Sequence, residues 1–126
     1  NGTDNHLIVA DIRKFGISGR QGESALRESG ITLNRNSIPY DPNGAWYTSG
    51  LRLGTPALTS RGFGTGEMKT IASLIKKVLE ATKANTTKSG EISKSTYTVD
   101  AKVIAAVNAQ ITEMLSSKPL YPELEF

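Results

Sequence analysis

The stretch "SGLRLGTP" (49–56) constrains the fold more than any other part of the chain. Leu51 and Leu53 flank Arg52, glycines stand at 50 and 54, and Pro56 cannot donate to a ladder, so a strand here is short and ends before the proline. Alternation along a strand sends Leu51 and Leu53 to one face and Arg52 to the other. A guanidinium buried without a partner is costly. Either an acidic residue pairs with Arg52 or the side chain waits for an anionic ligand, and its planar fork suits a carboxylate in bidentate geometry. The flanking glycines permit close approach by another backbone or by a ligand. On chemistry alone a structural ion pair and a ligand site both stay open.

Around this strand the periodicities predict an α/β chain. His6 to Ile12 is rich in branched apolar residues and predicts a strand buried on both faces. Ser18 offers an N-cap with Gln21 as its capping-box partner, and the helix that follows ends at Gly30, where a C′ glycine belongs. Residues 31–34 predict a second strand. Residues 35–48 form a polar loop with Pro39, Asp41-Pro42 and Asn43-Gly44 as turn formers, and it also holds Tyr40, Trp46 and Tyr47. Loops of that length in a compact domain are functional or disordered, and the aromatics argue against disorder.

After the strand at 51–54, Thr55 and Pro56 predict the cap and first residue of a short helix ending near Gly62. A longer helix starts near Thr65 with Met68, Ile71, Ile75, Val78 and Leu79 on one stripe. Residues 84–95 are expected to be a linker. Thr98 or Ser95 would cap a last helix carrying Val99, Val103, Val107, Ile111 and Met114 on one face, and residues 116–126 are expected to end the chain irregularly. The expected fold is a single domain over 1–126: a two-layer sandwich with a three-stranded, mostly antiparallel sheet and helices on one face.

Composition narrows the chemistry. The chain has 126 residues, 37% hydrophobic and 21% charged, which suits one domain with a modest core. It has no cysteine, which excludes disulfides, zinc–thiolate sites and cysteine nucleophiles, and one histidine, His6, which rules out an all-histidine metal site. No metal site is expected. The net charge of +3 is local: six lysines lie between Lys76 and Lys102, spread through Thr- and Ser-rich sequence. That pattern reads as solvated surface, not a nucleic-acid patch, which would cluster aromatics with the cations. The apolar runs are far too short to span a bilayer, and no signal peptide is visible. The start on Asn1-Gly2, without Met, is expected to mark a fragment.

Gly62 to Gly66 sits at a helix start but lacks the spacing and the lysine of a phosphate loop, so it reads as a helix entry. His6, at a strand start, reads as structural.

Four stretches in order, "GTDNH" (2–6), "GITLNRNSIPYDP" (30–42), "SGLRLGTPALTSRGF" (49–63) and "YPELEF" at the end, resemble the C-terminal domain of serine hydroxymethyltransferase, a fold-type I enzyme that uses pyridoxal 5′-phosphate. The resemblance implies a cytoplasmic transferase of one-carbon metabolism. It would convert serine and tetrahydrofolate reversibly into glycine and 5,10-methylenetetrahydrofolate, as a homodimer or homotetramer. It implies that Arg52 binds the substrate carboxylate, that Asn36 and Trp46 contribute to the folate site, and that Arg61 supports the active site. The lysine that holds the cofactor, and most cofactor contacts, belong to the family's large domain. No stretch here resembles them, so no catalytic residue is expected in this chain and the fragment alone is expected to be inactive. Two other readings remain: the small domain of another fold-type I enzyme, a threonine aldolase or aminotransferase, and a stand-alone anion- or partner-binding module. Asn36 in "NRNSIP" discriminates, because only a folate user needs it.

Overall fold

The computed structural model describes residues 2–119 and Glu123. Three strands, β1 (Leu7–Asp11), β2 (Asn34–Asn36) and β3 (Gly50–Gly54), form one antiparallel sheet in the order β1-β3-β2. A two-stranded hairpin of β4 (Thr82–Thr86) and β5 (Ile92–Val99) forms a second sheet. The helices are α1 (Gly19–Glu28), α2 (Gly44–Tyr47), α3 (Pro56–Ser60), α4 (Thr65–Ala81) and α5 (Ala101–Ser116).

The antiparallel three-stranded sheet matches the expected fold. So does its asymmetry: Ile12 and Leu51 pack with Ala25 and Leu26 of α1, Leu74, Val78 and Leu79 of α4, and Val107 and Ile111 of α5 in one core. Burial of Leu51 alone contributes about 1.5–3 kcal/mol. Beside the core an apolar cleft of about 340 Å³ opens between the sheet and α4, lined by Ile8, Leu53, Leu58, Met68 and Ile71. The α4 stripe read from sequence is therefore buried at Val78 and Leu79 and lines the cleft at its N-terminal end.

Both ends of α1 form by the expected chemistry. Ser18 Oγ accepts from the Gln21 amide at 3.2 Å, and Gln21 Oε1 accepts from the Ser18 amide at 2.9 Å. At the C-terminus Gly30 adopts φ +87°. Its amide reaches the Arg27 carbonyl while the Ile31 amide reaches Leu26, which is the Schellman pairing. That closure explains the first departure from expectation. The second strand lies at 34–36, not 31–34, because the Ile31 amide finishes the helix and Leu33 turns into the core.

The second departure is larger. Residues 84–95 are not a linker; they belong to the β4–β5 hairpin, turned at Gly90 with φ +86°. Ser95, Thr98 and Val99 lie in β5, so the last helix starts later than expected, and its cap is Asp100, whose side chain accepts from the Lys102 amide at 2.8 Å. The hairpin hid because the binary pattern is inverted where β5 begins: Ile92 is exposed and Ser93 is buried. The inward serine is tolerable because its surroundings are polar. Gln21 Nε2 donates to the Ser93 and Thr96 carbonyls at 2.8 and 2.7 Å, and Ser18 Oγ donates to the Lys94 carbonyl at 2.6 Å. The capping box of α1 is thus also the dock of β5. At the other end of α1, the Tyr97 hydroxyl donates to Glu28, and burial together with that carboxylate pushes the phenol up to about 12. The irregular end expected over residues 116–126 starts one residue later, because Ser116 still belongs to α5; its part beyond 119 lies outside the described residues apart from Glu123.

Gln21→Ala should strand the Ser93 and Thr96 carbonyls and the Ser18 amide, lowering the unfolding free energy by about 1–3 kcal/mol. Gln21→Glu should do no better, since it sets an oxygen against two carbonyls. Thermal unfolding of the two variants checks this, and a Gln21→Glu variant as stable as wild type would refute the dock.

Candidate functional site

β3 is the central strand, and its register places the site. Arg52 stands opposite Val9 of β1 and Asn34 of β2, while Gly50 stands opposite Asp11 and Asn36. Directly paired residues of antiparallel strands share a face. Val9, Arg52, Asn34, Asn36 and Asp11 therefore rise from the face away from the core, and Leu51 goes under it. That face is open, so β1 is not buried on both faces as its apolar run predicts: no helix among the described residues covers this side of the sheet, Val9 is 49% exposed, and Arg52 and Asn34 are also exposed. The arginine in an apolar strand is thus not a buried cation.

Arg52 makes no side-chain hydrogen bond or ion pair among the described residues. The one acid in the three strands shares its face and is already committed: Asp11 takes Arg13, with Nε at 3.0 Å from both carboxylate oxygens and Nη2 at 2.6 Å from one. The hydrogen bond from Arg13 leads the effects that hold the Asp11 carboxyl below its ordinary value.

The glycines beside Arg52 serve the protein's own packing more than an approaching ligand. A Cβ at Gly50 would lie 2.8 Å from the Asn36 carbonyl and 2.8 Å from a methyl of Ile38. At Gly54 it would meet a Leu7 methyl at 3.3 Å.

Asn36 lies on the Arg52 face, one diagonal away, with Nδ2 donating to the Ser37 carbonyl at 2.8 Å. Trp46 is not brought to that pair. Its ring lies against Arg20 and Arg35, whose guanidinium carbons are 5.5 and 5.0 Å from the ring centroid, and Arg35 is the β2 residue that alternates away from Asn34 and Asn36. Arg61 is committed elsewhere, donating to the Leu115 and Lys118 carbonyls at 2.8 Å each and so closing the end of α5. Lys118 answers by donating to the Gly62 carbonyl at 2.8 Å and pairing with Glu67 at 3.2 Å. The Gly64 amide donates to Glu67 at 2.9 Å, so a side chain of the protein fills the place a phosphate would need in Gly62–Gly66. Among the described residues no group of three potential metal ligands gathers, and no helix is long and apolar enough to cross a membrane.

Sequence reasoning took Asp41 for a turn former and missed its larger part. Its carboxylate accepts from the Ile38, Asn43 and Ser49 amides at 3.1, 2.8 and 2.8 Å and from Ser49 Oγ at 2.6 Å. One side chain thus ties the loop after Asn36 to the residue that leads into β3. Thr48, between α2 and β3, is buried with φ +61° and ψ 172°, a region that β-branched residues rarely adopt. Its carbonyl accepts from the Gly19 amide at 3.0 Å, and a Cβ at Gly19 would lie 2.0 Å from Thr48 Oγ1. Nothing in the spacing of these residues signals such contacts; an acid followed eight residues later by serine is not a recognisable pattern.

Burial pushes the Asp41 pKa up, but the donors from Ser49, Asn43 and Ile38 outweigh it and leave the carboxyl below its ordinary value. With the folded pKa below the unfolded value of about 3.9, the carboxylate's contribution is complete above roughly pH 5 and is lost as pH falls through the folded pKa. Asp41→Asn should lower the unfolding free energy by about 1.5–3 kcal/mol at neutral pH. The gap from wild type should shrink below about pH 4. Denaturant unfolding across that range checks it, and a gap independent of pH would contradict the assignment.

Residues 1–75 match the family model for serine hydroxymethyltransferase. Proteins named serine hydroxymethyltransferase are similar over almost the whole chain. That of Treponema pallidum is 56% identical over 98% of this chain and 22% of its own length. Those of Salinispora tropica and Mycolicibacterium smegmatis are 52% and 55% identical over 98% of this chain, covering 26% and 24% of their own lengths. The chain spans about a quarter of the length of the curated relatives it matches.

Proposed function

The chain belongs to the serine hydroxymethyltransferase family, and from that premise we propose that it is the C-terminal small domain of a pyridoxal 5′-phosphate enzyme. The enzyme converts serine and tetrahydrofolate into glycine, 5,10-methylenetetrahydrofolate and water. It works in the cytoplasm as a homodimer or larger assembly. The observation that carries the reading is Arg52. It is an exposed guanidinium with no partner among the described residues, set on a paired central strand in "SGLRLGTPALTSRGF".

The cofactor, when bound, supplies the electron sink for bond cleavage at Cα. The described residues offer it no phosphate cradle at Gly62–Gly66, which fits a chain whose part is to bind substrate. Arg52 takes the substrate carboxylate in its fork. Fixing that group fixes which bond at Cα is presented for cleavage, so orientation is the contribution. Asn36, one diagonal away, offers an amide to the pterin of the folate. Trp46 is the remoter folate residue in this reading, since its ring is held against Arg20 and Arg35 and not beside Asn36. Arg61 supports it at a distance by holding α5 to the turn after α3.

Arg52→Lys in the full-length enzyme keeps the charge and loses the fork. Serine binding should weaken by about 1.5–3 kcal/mol, roughly tenfold to a hundredfold, with cofactor absorbance unchanged. Titration of that absorbance with serine tests it, and wild-type affinity would sink the assignment. Asn36→Ala should depress folate-dependent turnover well below its effect on folate-independent cleavage of other β-hydroxy amino acids. Parallel assays of the two reactions decide this, and equal losses would count against a folate contact.

A further inference from the structure

Asn34 is the residue directly across from Arg52 in the β2–β3 register. Their Cβ atoms are therefore about 4.5–5.5 Å apart on one face. Both side chains are exposed, and neither makes a side-chain hydrogen bond among the described residues. The polar side chains around them are occupied: Asn36 by Ser37, Asp11 by Arg13, and Asp41 by Ser49. Arg35, the next residue of β2, pairs with Glu23, which also accepts from the Arg35 amide at 2.8 Å. Arg52 and Asn34 are left together as an uncommitted pair on the open face.

Asparagine is a poor strand residue, so its place in a three-residue strand asks for a reason. Its amide carries one acceptor and two donors, whereas the guanidinium only donates. Oδ1 can accept from Arg52 and hold the fork upright. Nδ2 then faces the same way as the fork. A carboxylate gripped in bidentate fashion by Arg52 still has unfilled acceptor positions on its two oxygens. Asparagine does this without neutralising the cation; an aspartate in its place would pair with Arg52 and close the fork against any anionic ligand.

We propose that Asn34 is a second contact for the amino-acid carboxylate, orienting Arg52 and donating to the same ligand. This rests on the reading of Arg52 as the carboxylate site.

The test uses the full-length enzyme with its cofactor and the variants Asn34→Ala, Asn34→Asp, Arg52→Lys and the Asn34→Ala/Arg52→Lys double. Serine and glycine dissociation constants are read from cofactor absorbance, and the folate KM is measured beside them. Asn34→Ala should weaken serine and glycine alike, by about threefold to thirtyfold, with the folate KM unchanged. Asn34→Asp should weaken both further, towards the Arg52→Lys level. The double variant should bind worse than Arg52→Lys alone, but by a smaller factor than Asn34→Ala costs the wild type, because part of the amide's effect passes through the fork. Should Asn34→Ala misfold, the exposed position tolerates Asn34→Thr, which favours the strand and removes the amide.

If Arg52→Lys weakens serine binding while the Asn34 variants bind like wild type, the inference fails and the Arg52 reading survives. If Arg52→Lys itself binds serine normally, both fail. A raised folate KM with unchanged serine affinity also overturns the proposal, since it would place Asn34 on the folate instead.

Discussion

The double pairing of β3 holds the site together. Its backbone is hydrogen-bonded to β1 on one side and β2 on the other. A slip of one residue on either side would move every side chain to the opposite face. It would put Arg52 into the core and Leu51 into water. Burial of Leu51 beneath α1 and α4 therefore does more than stabilise the sheet: it holds Arg52, Asn34 and Asn36 on the open face in one register.

That register is reinforced from outside the sheet. Asp41 draws four donors from residues 38–49 to one carboxylate, joining the loop that follows β2 to the lead-in of β3. Gly19 brings the start of α1 against Thr48, where any larger residue would collide. The segment before β3 is thus held both by a charged hub and by close packing. Arg52 is left without an acid by the same economy, because Asp11 is engaged by Arg13 two residues along the chain.

Much of the fold was legible in particular residues. Ser18 with Gln21 specified a helix start and Gly30 its end, because both signals act within a few residues and depend on backbone geometry alone. The hairpin at 82–99 was not legible. At the start of β5 Ser93 and Ser95 are inward and Ile92 outside, so hydrophobic alternation points the wrong way there, and it is regular only at Tyr97 and Val99. What stabilises it is Gln21 and Ser18, more than seventy residues earlier in the chain. Of the residues expected at the site, the register brings Arg52 and Asn36 to one face. Trp46 and Arg61 are occupied elsewhere, Trp46 by two guanidiniums and Arg61 by the end of α5.

By itself the sequence determined that a short strand would present an arginine opposite two leucines, since alternation is a property of the backbone and Pro56 limits the strand's length. It also carried the family, in the stretch from Ser49 to Phe63. Only the tertiary structure decided that the arginine's face is open, that Asn34 is its cross-strand neighbour and that Asp11 is not its partner. Those three facts depend on which strands pair, in which register, and on where the helices leave the sheet uncovered. Each is a contact between residues far apart in the chain, and no local pattern encodes it.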